Sequence, residues 1–187
     1  MGVDFSTAAR RIRGLCSAGL LERRSYPLST MSALIPTRDG CEVAADELTP
    51  IGGIRVATSR HDTTLVDCAC SLERRFTGRF EPERRLRQRV FSAADHWPDG
   101  LLHRPDEPPI AIELELSQKS PRRLTGILDA YAATLSIKAV WYIVMDDAVE
   151  SHVRRFAEGR PYIMIKRWTN TLYRPRLLLE KINGTAK

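Results

Sequence analysis

The chain has 187 residues, of which 43% are hydrophobic and 28% charged; that length suits one substantial domain, or a small one with a medium one, and that make-up excludes an intrinsically disordered chain. No apolar run approaches the length of a membrane span, and the N-terminus lacks the basic, apolar and small-residue succession of a signal peptide, so a cytoplasmic protein with no membrane partner is expected. Twenty-nine Lys and Arg against 23 acidic residues give a formal net charge of +6 and a pI near 9.4, which favours a polyanionic partner over a neutral one, with a merely solvated basic surface as the alternative.

Val3 to Arg24 is the first informative stretch. Asp4 or Ser6 can cap a helix whose apolar positions Ala8, Ile12, Leu15 and Cys16 recur at helical spacing, and Gly19 can end it. A helical wheel places Ser6, Thr7, Arg10, Arg13 and Ser17 on the other side, a short, polar and basic face of the kind that enters a major groove. The run Ser6-Thr7-Ala8-Ala9-Arg10-Arg11-Ile12, followed by Leu15-Cys16-Ser17-Ala18-Gly19-Leu20-Leu21-Glu22-Arg23, resembles the recognition helix and following turn of winged helix-turn-helix proteins. The resemblance implies DNA contact by Thr7, Arg10 and Arg13. It also implies a wing with strands over Leu21–Tyr26 and Ala33–Pro36, then a closing helix over Thr37–Leu48 around Gly40. A packing or dimerisation helix is the competing reading. Too little chain precedes Ser6 for the helices that usually support such a module, and a lone helix and hairpin bury little. The module must pack on the second domain, be completed by a partner chain, or continue upstream.

Thr49-Pro50-Ile51-Gly52-Gly53 reads as a linker or turn, dividing the chain into 1–50 and 51–187. Arg60–Arg74 is expected to be a helix with Leu65, Val66, Ala69 and Leu72 inward, and His61 and Asp62 serve capping and packing. Glu81–Val90 follows as a helix with Pro82 near its start. Its run Glu83-Arg84-Arg85-Leu86-Arg87-Gln88-Arg89 is the densest charge in the chain. A solvated face is the default for such a run. The alternative has arginines such as Arg84 tracking a phosphate backbone while Glu83 leans toward a metal site.

The centre of the chain carries Trp97-Pro98-Asp99-Gly100, then Ile112-Glu113-Leu114-Glu115-Leu116-Ser117-Gln118-Lys119-Ser120. Apolar and polar residues alternate from Ile112 to Ser117, so in a strand Glu113 and Glu115 point one way and Ile112, Leu114 and Leu116 the other. If the chain stays extended, Lys119 joins the face of the two glutamates. Alternating glutamates are most often a solvated face, and Pro-Asp-Gly is most often only a turn. Converging, they suit metal-assisted phosphodiester hydrolysis. Mg²⁺ takes oxygen ligands and usually only one or two protein carboxylates, here Asp99 and Glu113. Glu115 or Lys119 would then manage the attacking water.

Pro98-Asp99, the gap 100–112, then Glu113-x-Glu115 resembles the PD-(D/E)xK nuclease fold, in which an Asp is followed, after a variable gap, by Asp or Glu, one residue, and Lys. Glu115 stands where that family usually has Lys. A few restriction endonucleases of the fold carry Glu there and cleave, while other members have lost both the Lys and the activity. Lys119 is a candidate displaced substitute.

Pro121–Leu135 has helical periodicity with Leu124, Ile127, Leu128, Tyr131 and Leu135 on one side. Arg122 and Arg123 at its N-terminus would strengthen the pull of a helix start on phosphate. Ala139–Met145 is a continuous apolar run expected as a strand buried on both faces. Val149–Glu158 reads as a helix and Tyr162–Trp168 as a last strand. Cys16, Cys41, Cys68 and Cys70 lack zinc spacing and read as reduced thiols, mostly buried. The whole predicts an α/β (α+β) protein with a PD-(D/E)xK restriction-endonuclease-like core behind a small winged-helix-like module.

That combination resembles the replication-relaxation proteins of actinobacterial plasmids and phages, which implies handling of plasmid or phage DNA. Three functions follow as expectations: a Mg²⁺- or Mn²⁺-dependent endodeoxyribonuclease, a non-catalytic DNA-binding regulator or replication accessory on a degenerate nuclease fold, or a phage or plasmid protein that binds a host protein. A homodimer would match the paired half-sites that winged helices often bind.

Overall fold

The computed structural model describes residues 4–25, 32–44, 50, 55–89, 96–132 and 136–168. The chain divides into two compact units, Met1–Val66 and Asp67–Lys187. The division falls inside a helix, α3 (Val56–Phe76), instead of near residue 50. No Gly or Pro interrupts that stretch, so the helix runs past both ends expected for it. The expected linker lies outside the described residues apart from Pro50.

In the N-terminal unit, α1 (Phe5–Ser17) leads into a hairpin of β1 (Leu21–Ser25) and β2 (Ser32–Pro36), then α2 (Arg38–Val43). Asp4 stands at the N-cap position of α1, but its carboxylate accepts from the Ser6 hydroxyl instead of a first-turn amide. Gly19 ends the helix at φ +71°, with Gly19 N–H on Cys16 O and Leu20 N–H on Leu15 O, the left-handed stop that glycine allows. The hairpin pairs Leu21 with Pro36 through Ser25 with Ser32; its tip, 26–31, lies outside the described residues. Thr37 caps α2 by accepting from Gly40 N–H at 3.0 Å and donates its hydroxyl to Gly19 O at 2.6 Å. Gly40 is required there, since a Cβ would stand 2.0 Å from the Leu20 carbonyl oxygen. The helix expected over Thr37–Leu48 is thus Arg38–Val43, and 45–48 lie outside the described residues. No residue of α1 is buried, and Leu15, expected inward, is 41% exposed.

In the C-terminal unit the rest of α3 is followed by β3 (Arg79–Pro82), α4 (Glu83–Arg89), β4 (Gly100–Arg104), β5 (Glu107–Glu115), α5 (Pro121–Ala132), β6 (Ala139–Val144), α6 (Asp147–Ala157) and β7 (Ile163–Arg167). Together they make a mixed α/β unit around one five-stranded sheet in the order β3-β4-β5-β6-β7. The first three strands are antiparallel and the last three parallel. Asp106, at φ +58° in the turn between β4 and β5, makes that hairpin tight.

Three more expectations do not hold. Val66 is 61% exposed, and the inward side of α3 carries Cys68 and Leu72, one turn apart. Glu81 belongs to a strand and not a helix, because Pro82 closes β3 and α4 begins only at Glu83; Val90 lies outside the described residues. The cysteines split evenly, with Cys41 and Cys68 buried, Cys16 intermediate and Cys70 exposed.

One face of the sheet, through Ala111, Val140, Tyr142 and Val144, packs on Leu124, Ile127, Leu128 and Tyr131 of α5 and Val149 and Val153 of α6. These are the apolar positions that recur at helical spacing, and each fully buried Leu or Val contributes about 1.5–3 kcal/mol. Leu135 lies outside the described residues. Every residue of β6 is buried, as its unbroken apolar run predicts. On the opposite face Phe76 of α3 meets Trp141 edge-on, with ring centroids 5.0 Å apart. Asp146 caps α6 by accepting from Ala148 and Val149 N–H, and Arg154 and Arg155 in its last turn complement the helix dipole. Among the described residues no helix is long and apolar enough to cross a membrane.

Candidate functional site

The alternation in β5 places Glu113 and Glu115 on the face covered by α5 and α6, but that face is not solvated. Glu113 is 3% exposed and Glu115 4%, and Ile112 and Leu114 on the other side are buried as well. Two carboxylates in a core need partners, because an isolated buried charge is far too costly to persist. They find different ones.

Glu113 Oε1 accepts from the Tyr131 hydroxyl and from His96 Nε2 at 2.7 Å. His96 and Tyr131 themselves pack edge-to-face, with centroids 5.5 Å apart. Burial pushes the Glu113 pKa up, the His96 hydrogen bond opposes that rise, and the nearby Asp99 charge adds to it. Glu115 instead pairs with the Lys119 ammonium. The strand ends at Glu115, so Lys119 does not reach it by staying extended. The loop 116–120 turns back, held to α6 by Gln118 Nε2 donating to Ala148 O at 3.2 Å and His152 Nε2 donating to Lys119 O at 2.9 Å.

Asp99 immediately precedes β4, whose Gly100 pairs with Ile112 of β5. Its Oδ2 accepts from Leu114 N–H at 2.7 Å, while its own carbonyl accepts from Glu83 N–H at 3.0 Å. The Pro-Asp-Gly turn is therefore fastened at once to β5 and to the start of α4. Asp99, Glu113, Glu115 and Lys119 gather at the C-terminal end of β5. Glu83 turns elsewhere: its Oε1 holds Arg87 through Nε and Nη2 at 2.7 and 2.6 Å.

Four further side chains belong to this face. Glu81, 5% exposed, pairs with His103 Nε2 at 2.8 Å, and its strand position, not that of Glu83, carries the buried glutamate of this segment. Tyr131 reads in sequence as one more apolar helix position, although a tyrosine in a core needs a partner for its hydroxyl, and that is the signal that was there to find. Tyr142 lies inside an apolar run and His96 ahead of Trp97 with nothing local to mark either.

Of the expected DNA contacts, Arg122 and Arg123 are exposed on the first turn of α5. With Ser120 and His96 they line a cleft of about 560 Å³. His96 thus forms part of the cleft wall and also holds Glu113. Arg84 is of intermediate exposure in α4. In the N-terminal unit Arg10 and Arg13 are exposed and Thr7 is half-buried. Among the described residues no three His, Cys, Asp or Glu side chains are arranged to hold a metal ion.

Comparison of the chain with protein-family models, with curated proteins and with solved structures finds no match.

Proposed function

We propose that this is a DNA-binding protein of plasmid or phage type whose C-terminal unit has a PD-(D/E)xK-like core and cleaves or nicks DNA with Mg²⁺ or Mn²⁺. The observation that carries this reading is the burial of Glu113 and Glu115 side by side with Lys119 drawn onto Glu115. A solvated acidic face would need none of this.

The donor set fits a hard cation. Asp99 and Glu113 would hold it, within the one or two carboxylates that Mg²⁺ usually takes. Such an ion would supply positive charge to the scissile phosphate and would acidify an attacking water. The chain does the rest. Arg122 and Arg123, beside the cleft at the start of α5, attract the phosphate backbone. Glu115 takes the proton of the water as its oxygen bonds to phosphorus, and the bridging P–O bond breaks with the departing sugar oxygen protonated by solvent water. Lys119 offsets the charge that gathers on the phosphate oxygens. Arg10, Arg13 and Thr7 on α1 hold duplex DNA as a winged-helix module would, alone in the chain or completed by a second copy or a partner protein.

The test is conversion of supercoiled plasmid with Mg²⁺ or Mn²⁺, beside Glu113→Gln. Open-circle or linear product from the wild type only is the expected result, and no conversion with either ion overturns cleavage. One observation favours a second reading: Glu113 and Glu115 already have partners in Tyr131, His96 and Lys119 without an ion. A non-catalytic regulator or replication accessory would retain DNA binding in that same assay while leaving the plasmid intact.

A further inference from the structure

Tyr142 lies at the centre of β6, is 0% exposed, and pairs in register with Glu113 of β5. Neighbouring strands in register share faces, so its ring projects on the side of Glu113 and Glu115. Its hydroxyl oxygen is buried and has no hydrogen-bond partner among the described residues. Leaving a buried hydroxyl in that state costs about 1–3 kcal/mol, and phenylalanine would fill the same space without the cost. Tyr131 provides the contrast. It reaches the same glutamate from α5 and commits its hydroxyl to Glu113 Oε1.

His96 also takes Oε1, so the donors of Glu113 crowd onto one oxygen, and none among the described residues reaches Oε2. Burial, then the charges of Glu113, Glu115 and Asp99, push the Tyr142 pKa up. Tyr142 is therefore a neutral phenol close to three carboxylates, able both to donate and to accept.

We infer that the Tyr142 hydroxyl is reserved for a hydrated divalent cation held by Asp99 and Glu113, accepting a hydrogen bond from the ion's hydration water. Water around a cation turns its hydrogens outward, so it needs acceptors such as this one. Mg²⁺ dehydrates reluctantly and keeps several waters beside one or two carboxylates. Partners just outside the ligands tune affinity, and losing one typically weakens metal binding about 10–100-fold. Tyr142 is thus a positioning residue of the site, and the inference rests on the cation reading above.

The experiment measures Mn²⁺ affinity by titration calorimetry and the melting temperature of the metal-free protein, for wild type, Tyr142→Phe and Tyr131→Phe. Tyr142→Phe is expected to melt at or above the wild-type temperature without metal, yet to bind Mn²⁺ about tenfold or more weakly. Tyr131→Phe, which strips a donor from Glu113, is expected to melt lower. Unchanged Mn²⁺ affinity in Tyr142→Phe, or a drop in its metal-free melting temperature like that of Tyr131→Phe, overturns the inference alone. Absence of Mn²⁺ binding by the wild type overturns the cation reading with it.

Discussion

The two units treat charge in opposite ways. In the N-terminal unit Arg10, Arg11 and Arg13 stand in water on a helix with no buried residue, and among its described residues only Ile35 and Cys41 are buried. The C-terminal unit draws Glu81, Glu113 and Glu115 into its interior and surrounds them with packed apolar side chains. The difference separates two uses of charge. A solvated arginine attracts phosphate over a distance set by salt and needs no fixed geometry. A buried carboxylate must be held in place by named partners, and a group so held can be aimed at a reacting atom.

Removing a partner inside the C-terminal unit should have the largest effect. Lys119→Met leaves Glu115 buried without its counter-charge and should cost about 3–5 kcal/mol in chemical denaturation. Adding Glu115→Gln should recover much of that loss, and an equal loss in the double variant would show that the pair is not the cause. A matched pair of truncations comes next. Leu128→Ala, fully buried between α5 and the sheet, should cost about 2–5 kcal/mol, whereas Leu15→Ala, 41% exposed on α1, should stay within about 0.5 kcal/mol. Similar losses at both would erase the contrast between the units. The smallest effect on stability belongs to Arg10→Ala/Arg13→Ala, within about 0.5 kcal/mol. The same variant should lower the slope of log affinity for DNA against log salt by about 2. An unchanged slope would remove α1 from the DNA contact.

Periodicity made much of this legible. Leu124, Ile127, Leu128 and Tyr131 mark α5 because they recur every three to four residues, and the unbroken run at Ala139–Val144 marks β6. Period-two alternation gave the side on which Glu113 and Glu115 lie. It could not give their burial, since a solvated face and a covered one alternate identically; α5 and α6 decide that from elsewhere in the chain. Glu81 was hidden by Pro82, which suits the first turn of a helix as well as the end of a strand. His96, Tyr131 and Tyr142 join the site through partners distant in sequence, which no local pattern records. Lys119 was expected on the face of the two glutamates through continued extension; it pairs with Glu115 through a folded-back loop instead.

The Asp99 side chain also closes a ladder. The backbone pairing of β4 with β5 has Gly100 opposite Ile112, and the next outward amide, that of Leu114, finds a carboxylate oxygen where another strand would offer a carbonyl. An experimenter who replaces Asp99 with alanine therefore perturbs a seam of the sheet along with any chemistry. Asparagine keeps an oxygen for that amide while discarding the charge, so the two substitutions together distinguish a stitch from a reagent.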